Sequence, residues 1–296
     1  MELADFEMLV ALAETTSVTR AAERLGRTQP AVSVRLKRLS AELGTTLVET
    51  SGPGLRFTAA GEVLLGRARR VLDSVREARE AVDEIQGLLR GRVTVGASTT
   101  PGHFLVPDAL TLFQRSHPGI ELVLRIGNTL AIERAILDSE LDLGVVGGHL
   151  ESREVETRDL VEDRLVPFAA AAHPLAQAEE IGLEELVAYP FVRREPGSAT
   201  QALLERFLRE RGLRMQSQLE VGSPDALKRA VAAGAGIGVL SHSALRWETE
   251  DGRLSELTVR DFTLTRTLLL VTRKGRELSR ATQALVRELQ ASVARA

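Results

Sequence analysis

The sequence predicts a multidomain α/β protein in three parts: a small helical head with a β-hairpin, one long helix, and a larger region of alternating strands and helices. Three observations predict it. Apolar residues recur at helical spacing in short stretches up to Leu39; an apolar heptad runs from Leu64 to Leu89; and from Arg92 onward strand-like and helix-like stretches alternate. A chain of 296 residues exceeds what one core usually organises, so more than one domain is expected.

Phe6, Leu9, Val10 and Ala13 give the first helix an apolar stripe, which stops at Thr15-Thr16. Ser17 is placed to cap a second short helix through Leu25, and Gly26 ends it. Thr28 is placed to cap a third, where Pro30 falls in the first turn and Ala31, Val32, Leu36 and Leu39 turn inward. Ala22, Gly26 and Val32 supply the small residue, corner glycine and β-branched contact of a steep crossing, so the second and third helices read as a helix-turn-helix.

The outward face of the third helix carries Gln29, Pro30, Ser33, Val34 and Lys37, with Arg38 beside them. From Arg27 to Leu39 every charge is positive, Arg35 included. Such a face fits a major groove, where Gln pairs with adenine and Lys meets guanine or phosphate. It equally reads as a solvated helix face. Thr46-Leu47-Val48 and Leu55-Arg56-Phe57-Thr58 flank the turn Ser51-Gly52-Pro53-Gly54 and make a small wing, with Arg56 facing phosphate or water.

From residue 59 the pattern is helical, and Leu64, Ala68, Val71, Val75, Ala78, Val82, Ile85 and Leu89 step by alternating four and three. A stripe this narrow suits a partner helix, so a dimer is expected; packing onto its own chain is the alternative. Two heads on one dimer imply double-stranded DNA with a two-fold related site.

Composition excludes several classes. The formal net charge of −3 makes the positive stretch on the third helix local, since residues 1 to 58 balance acids and bases. With no cysteine there is no disulfide framework, thiolate metal site or cysteine nucleophile. His103, His117, His149, His173 and His242 lack metal spacing, and no nucleophile, base and orienting acid assemble, so neither enzyme, metal nor cofactor is expected. No apolar run reaches a membrane span, and acids occupy the start where a leader would carry bases, so a cytoplasmic protein is expected.

The third part opens with the strand Arg92 to Ala97 and continues as helix 104–117, strand 120–126, helix 130–138 and strand 141–147. A second set follows Val161: strand Leu165 to Ala172, helix Ala199 to Arg211, strand Gln216 to Val221, helix 225–233 and strand Gly238 to Leu240, before the strand Thr267 to Thr272 and a helix from Ser279. Such alternation predicts βαβ units on a largely parallel sheet. Gly234-Ala235-Gly236-Ile237-Gly238 follows a helix and opens a strand, the reverse of a dinucleotide fingerprint, and reads as a C-cap with close packing.

Ser17 to Leu25, Thr28-Gln29-Pro30-Ala31-Val32-Ser33, Glu42-Leu43-Gly44 and Phe57-Thr58-Ala59-Ala60-Gly61 resemble the LysR-type regulator family, and the order persists to the C-terminus. The resemblance implies a winged helix-turn-helix at 1–58, a dimerising linker helix at 59–90, and an effector-binding domain at 91–296 of periplasmic-binding-protein type. Its lobes would be about 91–161 with 267–296, and about 162–266. It further implies homodimers and homotetramers, with RNA polymerase as a further partner. Carried over by position, Arg27, Thr28, Gln29, Pro30, Ser33, Val34, Arg35, Lys37, Arg38 and Arg56 are the DNA-facing set. Val34 and Arg35 stand where the family more often has Arg and then a polar residue. Gly96 to Gly102 with Gly127-Asn128-Thr129 resembles the subgroup governing carbon-fixation and sulfur-assimilation operons.

Four helix starts, Ser98-Thr99-Thr100-Pro101, Gly127-Asn128-Thr129, Gly197-Ser198-Ala199-Thr200 and Gly222-Ser223-Pro224, each offer a hydroxyl or amide beside free backbone N–H groups. Singly each reads as an N-cap; converging at strand ends they would hold a small anionic metabolite. The effector-facing set is therefore Ser98, Thr99, Thr100, Gly102, His103, Asn128, Thr129, Gly147, Arg194, Ser198, Thr200 and Ser223. A solute-binding protein for a small anion is the rival reading, and it leaves the first ninety residues unexplained.

Overall fold

The computed structural model describes residues 1–51, 54–85, 91–148 and 150–295. The expected turn at Gly52-Pro53, the heptad position Leu89, the Ile85 side chain, the boundary at 90/91 and His149 lie outside the described residues. The chain divides into two compact units.

The first unit holds α1 (Leu3–Thr15), α2 (Val18–Arg24), α3 (Gln29–Glu42), β1 (Val48–Ser51), β2 (Gly54–Phe57) and α4 (Ala59–Ile85). Ser17 caps α2 as expected, its hydroxyl accepting from the Arg20 amide at 3.5 Å. Met8, Leu9, Leu12, Ala21, Ala22, Val32 and Leu39 form the core, so the small residue and the β-branched residue of the crossing do pack inside. Two local readings are corrected. Thr28 occupies the N-cap position of α3 without a side-chain cap bond, and Pro30 in the first turn removes one of the two amides such a bond could use. Ala31 is exposed rather than inward, one position off the Val32–Leu39 stripe.

In the wing β1 starts two residues later than expected and β2 one residue earlier, so Ser51 and Gly54, expected in the turn, pair with each other. Leu47 is drawn into the core, and Thr58 holds the segment by donating its amide to the Leu47 carbonyl at 3.0 Å and its hydroxyl to that of Thr46 at 2.7 Å. The α4 stripe serves two purposes. Leu65 and Ala68 complete the core of the head, while Val71 and Val82 are left 38% and 55% exposed.

The second unit begins with β3 (Gly91–Ser98), α5 (Thr99–Phe104), α6 (Val106–Ser116), β4 (Ile120–Gly127), α7 (Thr129–Leu137) and β5 (Leu143–Gly147). It continues through β6 (Val155–Ala170), α8 (Leu183–Val187), β7 (Phe191–Arg194), α9 (Ala199–Glu210), β8 (Ser217–Val221), α10 (Pro224–Ala232) and β9 (Gly238–Ser241). It closes with α11 (Arg246–Glu250), β10 (Leu254–Glu256), β11 (Leu264–Arg273) and α12 (Arg280–Arg295). The strands order as β10-β6-β11-β5-β3-β4, with β9 also on β6, and β7 pairs β8 separately.

The expectation of a largely parallel sheet is corrected to a mixed one. β3 is parallel to β4 and β5, but β6 and β11 run antiparallel to each other, and β5, β9 and β10 join them antiparallel. The βαβ units are parallel by necessity; the two long strands carry the chain out and back, so they must oppose. Two of the hydrophobic clusters around them are the largest of the second unit. One gathers Val95, Val106, Phe113, Val145 and Leu285, the other Leu165, Leu186, Phe191, Phe207 and Val239; β11 gives Leu270 to the first and Leu264 to the second.

The helix expected over 104–117 is broken at Leu105 (φ −129°, ψ −55°), because Pro107 cannot continue the ladder of α5. The glycine-rich segment does what its order suggested. Gly234 follows α10 at φ +86°, and a Cβ would meet the Pro190 carbonyl at 2.1 Å on Gly236 and the Phe168 ring at 2.4 Å on Gly238. Among the described residues no helix is long and apolar enough to cross a membrane, and no three potential ligands gather for a metal.

Candidate functional site

In the head, α3 presents Gln29, Pro30, Val34, Lys37 and Arg38 to solvent, with Ser33 half-buried. The Gln29 amide donates to the Ser33 hydroxyl at 3.0 Å, presetting both side chains. Arg27 and Thr28 are exposed at the corner, and Arg56 is exposed on β2 opposite Glu49. Arg35 departs from the expected free DNA contact. Its Nε donates to Asp5 at 2.6 Å and its Nη2 to Glu2 at 2.5 Å, while Arg38 reaches Asp5 at 3.1 Å.

Asp5 itself is fully buried and also accepts from the Glu2 amide at 2.6 Å. Burial pushes its carboxyl upward, but the Glu2 amide and the two guanidinium groups outweigh burial and hold it below its ordinary value. Sequence reading missed this acid, although Asp5 is out of place on a helix face in phase with Leu9 and Leu12.

In the second unit the ends of β3, β5 and β7 and the start of α9 meet. Ser98 accepts from the Gly147 amide at 3.1 Å, and Thr129 donates to the Gly147 carbonyl at 3.1 Å. Asn128 caps α7 at the Ala131 amide (2.9 Å) and donates to the Pro196 carbonyl at 3.2 Å, which ties it to the Gly197–Thr200 turn. Arg194, only 2% exposed, donates from Nη2 to the Thr99 hydroxyl at 3.2 Å and is clasped by Glu195 at 2.8 and 3.0 Å. The starts of α5, α7 and α9 are thus linked by hydrogen bonds to the strand ends or turns beside them. Ser223 remains a plain cap of α10, accepting from the Ala226 amide at 3.1 Å, and His103 is exposed with its ring edge toward Phe104.

The group that sequence reading missed is Arg266. It lies on β11, donates from Nη1 to the Thr200 hydroxyl at 2.7 Å and from Nε to Asp163 at 2.8 Å, and is 8% exposed. Ser241 donates to the other Asp163 oxygen. A Cβ on Gly147 would stand 2.8 Å from this guanidinium, so the glycine lets the β5 end close over it without moving the arginine. Burial pulls Arg266 below its ordinary value, Asp163 opposes that, and the charge of Arg194 adds to the effect of burial.

Both arginines keep buried nitrogens without an acceptor. Nη1 of Arg194 has none, and Nη2 of Arg266 lies 2.8 Å from the same Asp163 oxygen that Nε uses, at an angle that makes no hydrogen bond. Around them Thr99 and Thr200 are already engaged, whereas the buried Thr100 makes no side-chain hydrogen bond among the described residues. The chemistry on offer is that of an anion receptor: two cations with spare donors beside a helix start and several hydroxyls.

Residues 86–294 match the LysR substrate binding domain, and residues 3–62 match the bacterial regulatory helix-turn-helix protein, lysR family. The chain is 34% identical over 292 residues to the RuBisCO operon transcriptional regulator of Acidithiobacillus ferrooxidans, covering 99% of this chain and 94% of that one. Among solved structures, the regulatory domain of Synechocystis CcmR in complex with 2-PG aligns with a TM-score of 0.65 at 30% identity, over 69% of this chain and 98% of that one. A full-length OxyR from Pseudomonas aeruginosa aligns over 99% of this chain and 94% of its own, with a TM-score of 0.77 and 24% identity, and so shares the fold.

Proposed function

Since the chain belongs to the LysR family of transcriptional regulators, we propose that it grips a two-fold related duplex as a homo-oligomer and alters that grip when a small anion reaches Arg194 and Arg266. Residues 1–58 read the duplex, 59–90 pair two chains through Val71, Val75, Ala78 and Val82, and 91–296 bind the effector. Homodimers, their pairing to tetramers, contact with RNA polymerase and work in the cytoplasm follow from that role. Arg27, Thr28, Gln29, Pro30, Ser33, Val34, Lys37, Arg38 and Arg56 face the duplex, and Arg35 positions α3 from behind.

The observation that carries the effector reading is the pair of buried guanidinium nitrogens without acceptors. Leaving such donors unpaired is unfavourable, and an anion that accepts from both removes the penalty. Ser98, Thr99, Thr100, Gly102, Asn128, Thr129, Gly147, Ser198 and Thr200 frame the anion. The CcmR complex supports the class of ligand, because 2-PG is a small anionic metabolite. The neighbouring relatives are regulators of RuBisCO operons, which supports the carbon-fixation subgroup.

The test uses the full chain with 2-PG, inorganic phosphate and sulfate. An anion present at a hundredfold excess over its Kd raises stability by about 2.7 kcal/mol, read as a thermal shift. Thr100→Ala is expected to weaken the anion response by about tenfold while DNA affinity in the absence of anion is unchanged. A response curve identical to that of the unaltered protein sinks the site assignment.

A further inference from the structure

We propose that Val34 sets base specificity by seating against the 5-methyl group of a thymine in the major groove. The inference rests on α3 entering the groove, as proposed above. Val34 is 67% exposed on a helix whose other outward groups are polar or cationic, with exposed Pro30 and Ala31 beside it. These three residues form one wall of a cleft of about 590 Å³ whose other walls include Glu7, Arg27, Arg35 and Arg38. An apolar strip flanked by the exposed cations Arg27 and Lys37 complements a polyanion that presents methyl groups between its phosphates, and a duplex is such a surface.

Several neighbouring donors are already engaged within the protein, and exposed Lys37 is left to meet phosphate. Gln29 and Ser33 are bonded to each other, and Arg35, the next residue along, is turned back to Asp5 and Glu2. A valine offers no donor or acceptor, so it discriminates among bases only through apolar contact, and thymine alone of the four carries a methyl in the major groove. Where the family more often has Arg, the same position would favour guanine.

The experiment selects duplexes from a randomised pool with the full-length protein and with Val34→Ala and Val34→Arg, both at a solvent-exposed position. The expected result is one base pair per half-site where thymine is enriched by the unaltered protein, lost by Val34→Ala, and replaced by guanine with Val34→Arg. Uracil at that base removes the methyl alone and is expected to weaken the unaltered protein about fourfold and Val34→Ala not at all. Equal loss for both proteins, or no loss for either, overturns the role of Val34 while leaving groove entry intact. Failure to enrich any duplex overturns both.

Discussion

Each unit buries an ionic cluster, and the two are built in opposite ways. In the head one carboxylate, Asp5, has both oxygens taken by the Glu2 amide, Arg35 and Arg38. In the second unit two arginines each retain a buried nitrogen with no acceptor. A saturated cluster has nothing to gain from an arriving ion and acts as a brace between α1 and α3. An unsaturated one is incomplete until an anion supplies the missing acceptors. On the proposed reading the same residue type serves architecture in one unit and affinity in the other, and only its partners tell which.

The largest effect that could break this contrast is expected from Arg266→Met. It leaves the buried Asp163 with Ser241 as its remaining partner, and a loss of about 3–5 kcal/mol in chemical denaturation is expected. Adding Asp163→Asn should recover most of that stability without restoring stabilisation by inorganic phosphate. If phosphate stabilises Arg266→Met as well as the unaltered protein, the spare donor is not what binds it.

Next in size is Asp5→Asn, expected to cost about 1–3 kcal/mol by leaving Arg35 without its buried partner. Because the folded carboxyl lies below its unfolded value, its contribution is complete above the unfolded pKa of ~3.9 and fades as pH falls through the folded value. Denaturation of Asp5→Asn should therefore show a shallower acid limb. An unchanged acid limb would show that the brace is idle.

The smallest effect sharpens the contrast within α3 itself. Lys37→Gln should lower the slope of log affinity against log salt by about 1, with folding stability untouched, since Lys37 is exposed and free to meet phosphate. Arg35→Gln should do the reverse, lowering stability while sparing the salt slope. Matching slopes for Lys37→Gln and the unaltered protein would remove Lys37 from the phosphate contacts.

Much of the fold was legible because it rests on local signals. Ser17 and Gly26 bracket α2, and the alternation after Arg92 marks the βαβ units. The charged first half of β6, from Val155 to Arg164, was not legible as strand, since its residues are mostly exposed and its pairing is supplied by β11. Arg266 did leave a trace. It lies in phase with Leu264 and Leu268 on the inward face of an alternating strand, a cation where an apolar residue belongs. Reading that phase would have found it; reading helix starts alone drew attention to Thr99, Thr100, Asn128 and Ser223 but not to the cation between them.

The sequence by itself determined the helix-turn-helix corner, the heptad of α4 and the order of strands and helices, because caps, corner glycines and apolar periods act between residues close in the chain. Only the tertiary structure decided which cations are spent and which are spare. Asp5 meets Arg35, and Asp163 meets Arg266, across long stretches of chain, and a charge is neutralised by whatever the fold places within a few ångströms.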